Sequence, residues 1–565
     1  SKSYQERVSH FDGGDAAYAL VTDRSPYQLS AYWDSNPYTD AYIVSLADGS
    51  RRCILEKVAG SPRLSPGGKY VYWYDCGTLQ WYTYDIASGA VCCLTENCGV
   101  NFYEEDDDHP HYPDAYDYRP SWTEGDKYIL ICDRYDVWKF AADGSSAECL
   151  TDGQGRSNGV QFRIANPVEY NISPDDARLG VSRVQAAGDP VFFSAFREAT
   201  KENGFAMLRK VSRAAPDWFC NGWSYPSVVK AENAGVVAFL KGNFRNAPDL
   251  YLYAPKAGRK GYPAAIKDKV TQLVAGAVKL TSINPQQRNY SWGDVQLVHW
   301  QAYDGTPLDG LLYLPEGERK KLPLMIYFYE KRSESLYNYM HPAPSRSTVN
   351  IPMYVSNGYA VFVPDIVYKS GHPGESAYNC ICSGAEAMCA RFPFLDKDRM
   401  AIQGQSWGGY QVAYLVTRTG MFRAAGAGAP VGNMTSAYGG IRWESGVARA
   451  MQYEHGQSRI GKSMWEEGGL DLYIENSPVF FVDKVTTPVL IMANDADGAV
   501  PWYQGIEFFS NLRRFSKPAW LLEYNDEAHN LRERRNCKDL SRRMQQFFDH
   551  YLKDAPMPDW MKTSE

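Results

Sequence analysis

The chain has 565 residues, which is too long for a single hydrophobic core and predicts two or more domains. Its net charge of −7 and the lack of long basic runs argue against nucleic acid as a partner. No apolar run is long enough to span a bilayer, and residues 1–30 lack the pattern of a signal peptide, so we expect a soluble chain whose compartment, cytoplasmic or periplasmic and secreted, stays open.

The first half of the sequence is rich in short alternating strands that recur in a fixed order. In two successive copies, aromatic-rich strands lead to a Leu-Thr pair, and Leu150 follows Leu94 by 56 residues. Short strands, polar turns and a long period are typical of β-propeller blades, which bury their faces only against neighbouring blades. The blade-like regions are residues 63–95, 120–151, a copy that opens at 172–176, about 224–253, and a closing pair at Leu280-Thr281.

We therefore predict a β-propeller domain over residues 1–289. Five blade-like units can be counted, and the sequence begins inside one of them. Because a closed propeller of this type normally has more blades, the alternative is an incomplete propeller, from a fragment or from a chain that lacks its natural N-terminus. The acidic run at 103–108 is interpreted as a solvated loop of this domain.

From about residue 290 onwards, strands and helices alternate, which predicts a second domain over residues 290–565. The continuous apolar runs at 323–329 and 360–364 predict strands that are buried on both faces of a mainly parallel sheet. This order is that of an α/β-hydrolase fold, in which catalytic groups lie on loops at the carboxyl ends of the strands. Further strands are predicted at 295–303, 308–313, 399–405, 424–431, 488–493 and 519–524, and helices at 349–356, 384–391, 502–515 and 531–552.

The sequence Gly404-Gln-Ser-Trp-Gly408 has the Gly-x-Ser-x-Gly pattern of a nucleophile elbow. In such an elbow the serine lies on a strained turn between a strand and a helix, and the glycines are needed because a Cβ would collide with neighbouring backbone. The context agrees, because a predicted strand ends at Gln405 and an amphipathic helix follows up to about Gly420. Ser406 is thus the candidate nucleophile, and the alternative is a buried serine in a glycine-rich turn.

An α/β-hydrolase needs an acid and then a base after the serine in the chain. His529 follows the predicted strand 519–524 in a polar loop, where a general base must project. His550 lies within the predicted last helix and is interpreted as a packing residue. Asp495 and Asp497 both follow a predicted strand end, and spacing alone leaves both open as the acid.

Three motifs follow one another in the second domain. They are Gly404-Gln-Ser-Trp-Gly-Gly-Tyr410, the Asp-x-x-Val-Pro pattern at 497–501, and Glu527-Ala-His529. In this order they resemble the prolyl oligopeptidase family of serine peptidases, which includes dipeptidyl peptidases and acylaminoacyl peptidases. The resemblance covers about residues 290–560, and the N-terminal repeat resembles the propeller of that family. In the family the catalytic aspartate stands three residues before the valine, which implies Asp497 rather than Asp495.

The resemblance implies a triad of Ser406, Asp497 and His529. His529 would accept the proton of Ser406, and Asp497 would hold the imidazole in the useful tautomer. The oxyanion would receive hydrogen bonds from the Trp407 backbone N–H and, by similarity to relatives, from the hydroxyl of Tyr329. The alternative for Tyr329 is an ordinary strand aromatic. We expect neither a metal ion nor a cofactor.

Specificity is implied by position relative to the motifs. The predicted pocket is an apolar slot that suits proline or a small apolar side chain before the scissile bond. Ala499 stands where relatives often carry an arginine or asparagine that binds a substrate carbonyl, and Glu104-Glu105 superficially resembles the pair that captures amino termini in dipeptidyl peptidases. The residues predicted to line the slot are Trp407, Val431, Met434 and Val500.

These features together predict a serine peptidase that acts on oligopeptides through an acyl-enzyme. The resemblance implies that the propeller screens peptide substrates by size, and a homo-oligomer is left open. One alternative is a carboxylesterase that uses the same triad with a different pocket. A second alternative is a non-catalytic propeller that binds a partner, in which the triad would be coincidental or decayed.

Overall fold

The computed structural model describes residues 6–9, 17–35, 38–117, 120–165, 184–231, 234–255, 266 and 268–562. The chain divides into two compact units. The first unit comprises Ser1–Asp107, His111–Asn284 and Tyr337–Tyr339, and the second comprises Asp108–Pro110, Pro285–Leu336 and Met340–Glu565. Among the described residues, no helix combines the length and apolarity that a membrane crossing requires.

The described residues of the first unit form five β-sheets, four with four strands and one with five. Neighbouring strands are antiparallel, except that Val184–Gln185 pairs in parallel with Ser121–Thr123. In spatial order the strands are Glu6–Ser9, Tyr18–Asp23, Tyr38–Ser45 and Arg51–Ala59 in the first sheet; Arg63–Leu64, Tyr70–Asp75, Gln80–Asp85 and Val91–Cys93 in the second; Ala147–Cys149, Val137–Ala141, Tyr128–Cys132, Ser121–Thr123 and Val184–Gln185 in the third; Val160–Ile164, Val191–Arg197, Asn203–Leu208 and Asp217–Asn221 in the fourth; and Val228–Lys230, Val237–Asn243, Asn246–Tyr253 and Val278–Lys279 in the fifth. Within the described part of this unit, two short α-helices lie at Gln154–Asn158 and Val270–Gly276.

Consecutive sheets of the first unit pack face to face. One face of the second sheet, with Val71 and Trp73, shares a hydrophobic core with the first sheet. The opposite face, with Tyr72 and Trp81, packs against Trp122 of the third sheet. Alternate residues of a strand point to opposite faces, so one strand serves both cores. Shared cores also join the third sheet to the fourth and the fourth to the fifth, as expected of propeller blades.

A Leu-Thr pair ends three of these sheets in the same way. Thr151 Oγ1 accepts a hydrogen bond from the Val137 N–H at 3.2 Å and donates one to the buried Asp136 carboxylate at 2.6 Å. The repeat in the sequence therefore ties the end of the outermost strand to its neighbour. The predicted blade that opens at 172–176 lies outside the described residues. The equivalent bonds are made by Thr95 with Trp81 and Gln80, and by Thr281 with Leu250 and Asp249.

The second unit is built on one eight-stranded sheet. Its strands are β1 (Asp294–Gln301), β2 (Pro307–Leu314), β3 (Leu322–Tyr327), β4 (Ala360–Pro364), β5 (Leu395–Gln405), β6 (Ala424–Gly428), β7 (Val489–Met492) and β8 (Ala519–Leu522), in the spatial order β1-β2-β4-β3-β5-β6-β7-β8. Strand β2 is antiparallel to both β1 and β4. The other six strands, which lie in the spatial order β4-β3-β5-β6-β7-β8, are parallel to one another. The mainly parallel sheet that the sequence predicts is confirmed.

Helices cover this sheet and bury its central strands, so that every residue of β3 and β4 is buried. The helices are α1 (Ile351–Ser356), α2 (Pro373–Arg391), α3 (Trp407–Arg418), α4 (Met434–Tyr438), α5 (Ala450–Glu454), α6 (Gly469–Glu475), α7 (Tyr503–Arg514) and α8 (Arg534–Lys553). Both α3 and α8 pack against β5 and β6, which fixes the strand end that carries Ser406. Short 3₁₀ helices lie at Ser25–Tyr27, Ser30–Tyr32, Glu124–Asp126, Pro285–Asn289, Ser333–Ser335, Pro478–Lys484 and Asp559–Met561.

Helix α2 begins earlier than the sequence predicts. The prediction places a helix only at 384–391, whereas α2 starts at Pro373. Glycine has a low helix propensity, and α2 contains two glycines. Both lie at tight packing contacts, because a Cβ on Gly374 would come within 2.4 Å of the Tyr414 ring and a Cβ on Gly384 within 2.9 Å of the Phe362 ring. Tertiary packing therefore determines this helix more than local propensity does.

Candidate active site

Ser406 lies at the sharp turn between β5 and α3. Its backbone has φ 61° and ψ −115°, a conformation that is strained for a residue with a Cβ and costs about 1–3 kcal/mol. Two backbone hydrogen bonds hold the turn: Ser406 N–H donates to Gly428 O at 2.8 Å, and Tyr410 N–H donates to Ser406 O at 2.9 Å. The strand-to-helix context predicted for the Gly-x-Ser-x-Gly motif is present.

The glycines around Ser406 are required by close backbone contacts. A Cβ on Gly404 would lie 2.4 Å from the carbonyl of Gly408, and a Cβ on Gly408 would lie 2.6 Å from Phe328 O. A Cβ on Gly409 would lie only 2.1 Å from Gly428 O. The turn therefore fits tightly against β3 and β6, and no side chain can be added without a shift of backbone.

We expect Gly409→Ala to lower the free energy of unfolding by about 1–3 kcal/mol, because the added methyl group must displace β6 or α3. Urea denaturation of the purified variant measures this change. The matched control is Gly439→Ala, where the nearest atom to the new Cβ is Ser436 O at an ordinary 3.9 Å. Equal stability of the two variants would contradict the tight packing described here.

The structure brings Asp497 and His529 together. The loop after β7 carries Asp497, the loop after β8 carries His529, and Asp497 Oδ2 lies 2.7 Å from His529 Nδ1. The Asp497 side chain is 2% exposed, and its other oxygen accepts hydrogen bonds from the N–H groups of Ala499 and Val500, each at 2.8 Å. The carboxylate is therefore held in one orientation, and the Nε2 side of the imidazole is left for other contacts.

The other acid and base considered from the sequence lie in different surroundings. Asp495 accepts a hydrogen bond from the Asp526 N–H at 2.7 Å. It therefore holds the backbone of the loop that leads to His529 and does not bind the imidazole of His529 in the described structure. His550 lies in α8, where its Nδ1 is 2.7 Å from Ala555 O. The geometry thus favours Asp497 and His529 as the acid and base.

Two buried carboxamides, which the sequence analysis did not identify, fix the His529 loop. Gln405 Nε2 donates to His529 O at 2.8 Å, and Asn494 Nδ2 donates to Ala528 O at 2.8 Å. Gln405 directly precedes Ser406, so one side chain links the nucleophile turn to the loop of the base. Both residues are polar positions at the ends of apolar strands, which is the signal in the sequence that could have revealed them.

Among the described residues, His529 is hydrogen bonded to Asp497 and Gln405, and no hydrogen bond joins its ring to the Ser406 hydroxyl. Such bonds often tighten only when substrate is bound. The structure therefore places two members of the predicted triad in contact and the third on the adjoining turn.

Tyr329 and Trp407, the predicted oxyanion donors, lie beside the same turn. Tyr329 follows the end of β3 by two residues, and its ring lies 3.7 Å from the position that a Cβ on Gly408 would take. Trp407 is the first residue of α3, where backbone N–H groups have no acceptor within the helix. The Trp407 indole donates to the Tyr368 hydroxyl at 3.0 Å. The backbone of Trp407 and the ring of Tyr329 thus lie next to the turn that carries Ser406, and their role as oxyanion donors stays a prediction.

The predicted pocket residues are buried in the core of the second unit. Val431 is 4% exposed, Met434 is 0% exposed and Val500 is 5% exposed. Val500 is also fixed through its N–H to Asp497. Their contact with a substrate side chain stays a prediction.

The acidic run at 103–108 is not simply a solvated loop. Asp108 belongs to the second unit and accepts two hydrogen bonds from the Arg459 guanidinium, at 2.7 and 2.9 Å. In the first unit, Asp106 and Glu105 lie 2.6 and 3.6 Å from Arg134. Glu104, Glu105 and Asp106 are exposed, as a solvated loop requires, whereas Asp108 is only partly exposed and pairs with a basic residue that is distant in the sequence.

Residues 347–555 match the model of the prolyl oligopeptidase family. The chain is 24% identical over 267 residues to the uncharacterized peptidase YuxL of Bacillus subtilis, a match that covers 45% of this chain and 39% of that protein. It is 29% identical over 140 residues to the acylamino-acid-releasing enzyme of Rattus norvegicus. This match covers 24% of this chain and 18% of the relative. The chain therefore matches well under half the length of these curated relatives.

Among solved structures, the chain is similar to Porphyromonas gingivalis dipeptidyl peptidase 4. The TM-score is 0.64 at 13% sequence identity, over 95% of this chain and 73% of the other. At this identity the likeness concerns the fold. The predicted combination of a β-propeller and an α/β-hydrolase domain is confirmed.

Proposed function

Because residues 347–555 match the model of the prolyl oligopeptidase family, we propose that this chain is a serine peptidase that hydrolyses peptide bonds in oligopeptides. The observation that carries the proposal is the 2.7 Å hydrogen bond between the buried Asp497 carboxylate and His529 Nδ1, on loops next to the strained Ser406 turn. Buried aspartate, imidazole and a serine at a strand-to-helix turn are the parts that acyl transfer at neutral pH requires.

The proposed reaction has two halves. Ser406 Oγ attacks the carbonyl carbon of the scissile bond while His529 Nε2 takes the hydroxyl proton, and the carbonyl oxygen becomes an oxyanion. The C–N bond then breaks, and His529 passes its proton to the leaving amine. Water repeats the sequence on the acyl-enzyme, again with His529 as base, and releases the acid and free Ser406. Asp497 stabilises the imidazolium in both halves.

The oxyanion is where the protein contributes most to the rate. The Trp407 N–H and the Tyr329 hydroxyl are the proposed donors, because Trp407 directly follows Ser406 and the Tyr329 ring lies beside the same turn, so that both donors would be in place before the charge develops. For specificity, we propose cleavage after proline or a small apolar residue, in a slot formed by Val431, Met434 and Val500. The relatives named as peptidases support peptides, rather than simple esters, as substrates.

We expect a fluorophosphonate probe to label the wild-type chain and not Ser406→Ala. The reason is that the probe reacts with a serine hydroxyl only where a general base activates it. Labelling is measured by intact-protein mass spectrometry. The control is Ser445→Ala, which removes the hydroxyl of an exposed serine and should label as the wild type does.

The same preparation separates the three functions considered from the sequence. A peptidase cleaves peptide amides with proline or alanine before the scissile bond, and the Ser406→Ala variant does not. Hydrolysis of short acyl esters without cleavage of peptide amides would indicate a carboxylesterase. Absence of both labelling and hydrolysis would indicate a binding protein.

A further inference from the structure

Gln457 contacts both the hydroxyl of Tyr329 and the carboxylate of Glu330. Gln457 Nε2 lies 2.9 Å from the Tyr329 hydroxyl oxygen and 3.3 Å from Glu330 Oε1. Glu330 is the next residue in the chain after Tyr329, whereas Gln457 comes from a turn after α5. These three polar groups thus form a short chain that ends at the proposed oxyanion donor.

The direction of each hydrogen bond in this chain follows from its carboxylate. A carboxylate can only accept, so the nitrogen of the Gln457 amide must face Glu330. The same nitrogen then donates its second hydrogen to the Tyr329 oxygen. A tyrosine hydroxyl has only one hydrogen to give, and here that hydrogen is not used by Gln457.

We propose that Glu330 and Gln457 set the direction of the Tyr329 O–H bond, so that its hydrogen is presented to the oxyanion. This inference rests on the proposed function. With the amide reversed, Gln457 Oε1 would accept the Tyr329 hydrogen, and the donor would be lost to the transition state. Glu330 prevents this reversal, since two acceptor oxygens would then face each other. Gln457 and Glu330 are therefore positioning residues that act through Tyr329.

A buried arginine holds the carboxylate end of the chain. The Arg459 side chain is 2% exposed, with one nitrogen 3.5 Å from Glu330 Oε1 and others bonded to Asp108. A third contact, from Arg459 to Gln457 O at 2.8 Å, joins it to the glutamine backbone. Burial lowers the pKa of the Arg459 guanidinium, but Asp108 and Glu330 outweigh burial and hold that pKa above its ordinary value. The cation that anchors Glu330 is thus permanently charged.

Tyr368 links this network to the side chain of Trp407, the residue whose backbone N–H is the other proposed donor. Its hydroxyl accepts from the Trp407 indole at 3.0 Å and donates to Tyr329 O at 3.2 Å, and the Arg459 guanidinium lies 4.1 Å above its ring. Burial raises the pKa of Tyr368 well above its ordinary value, so it stays a neutral donor. The backbone of Tyr329 is therefore fixed independently of Gln457, which leaves Gln457 to act on the hydroxyl alone.

The test compares Gln457→Glu with Gln457→Met. A carboxylate at this position accepts the Tyr329 hydrogen, and Gln457→Glu should lower kcat by roughly 10²-fold, close to the loss of one oxyanion donor, with KM nearly unchanged. Gln457→Met neither donates nor accepts, so the hydroxyl can rotate and the loss should be nearer tenfold. Glu330→Gln frees the amide to reverse and should fall between the two. The control for charge is Glu334→Gln, at an exposed position on the same segment, which should leave kcat unchanged.

The decisive measurement is the kcat of the same Gln457 variants when Tyr329 is also replaced by phenylalanine. If Gln457 acts through the hydroxyl, Gln457→Glu and Gln457→Met change kcat by less than about twofold once that hydroxyl is gone. Equal losses in both backgrounds would mean that Gln457 only supports the fold, and would overturn the inference. The inference would also be overturned if Gln457→Glu had the kcat of the wild type while Tyr329→Phe had a lowered kcat. That outcome would leave the peptidase proposal standing. Absence of Ser406-dependent hydrolysis in the wild type would overturn the proposed function and this inference together.

Discussion

Ser406→Ala should lower the turnover of a proline-containing peptide amide by roughly 10⁴–10⁶-fold while leaving the thermal unfolding temperature unchanged. The expected loss is large because the acyl-enzyme cannot form without the hydroxyl, and the remaining groups only bind the substrate and its oxyanion. Stability should not fall, since the Ser406 side chain is hydrogen bonded to neither His529 nor Asp497 among the described residues. Steady-state hydrolysis and differential scanning fluorimetry measure the two quantities.

Asp497→Asn and His529→Ala should approach the same loss, because members of a triad act as a unit. Asparagine can still accept the hydrogen bonds from Ala499 and Val500, but its NH₂ group would face His529 Nδ1 and favour the wrong tautomer. The control is Asp495→Asn, which should lower kcat by less than about tenfold, since Asp495 contacts the backbone of Asp526 instead of the imidazole. A more severe effect at Asp495 than at Asp497 would show that the acid is misassigned.

Tyr329→Phe should lower kcat by roughly 10²–10³-fold with little change in KM. The hydroxyl is proposed to bind charge that exists only in the transition state, so its loss should not weaken binding of the uncharged carbonyl. Removal of the hydroxyl also leaves the Gln457 amide without one acceptor, which the half-buried position tolerates through water. Steady-state rates measured over a range of peptide concentrations, for the variant and for the wild type, give kcat and KM separately.

The control for that variant is Tyr303→Phe, in the hairpin between β1 and β2, where the side chain is 51% exposed. It removes a hydroxyl of the same kind and should leave both constants unchanged. A rise in KM alone for Tyr329→Phe would show that the hydroxyl binds ground-state substrate. That result would remove Tyr329 from the oxyanion hole and leave the roles of Asp497 and His529 unaffected.

The sequence predicted the parts of the fold that depend on periodicity and on fixed short motifs. Alternating strands and Leu-Thr pairs indicated the sheets of the first unit, since each pair makes local hydrogen bonds such as Thr151 to Asp136. The apolar runs of β3 and β4 indicated strands buried on both faces. The Asp497–His529 contact could be anticipated because the two loops follow strands that are neighbours in the sheet.

The residues that support the site could not be predicted in this way. Gln457 lies on a turn without periodicity, and its partner Tyr329 is 128 positions away. The Arg459 contact with Asp108 spans 351 positions. Contacts of this kind are set by how loops meet after the sheet has formed, and a single sequence carries no local signal for them. Helix α2 shows the same limit, since the contacts of Gly374 and Gly384 compensate for their low propensity.

The position of Asp108 limits how the chain can be divided. A piece that begins at Pro285 contains every motif of the hydrolase fold but lacks Asp108, and it leaves Arg459 deeply buried with Glu330, at 3.5 Å, as its remaining carboxylate partner among the described residues. Removal of one partner from a buried ion pair costs about 3–5 kcal/mol, a large share of the stability of an ordinary domain. The second unit is thus not a portable module: a tripeptide from the N-terminal half, Asp108–Pro110, is part of its structure. Any rearrangement of genes that exchanged the hydrolase region alone would have to replace that carboxylate as well.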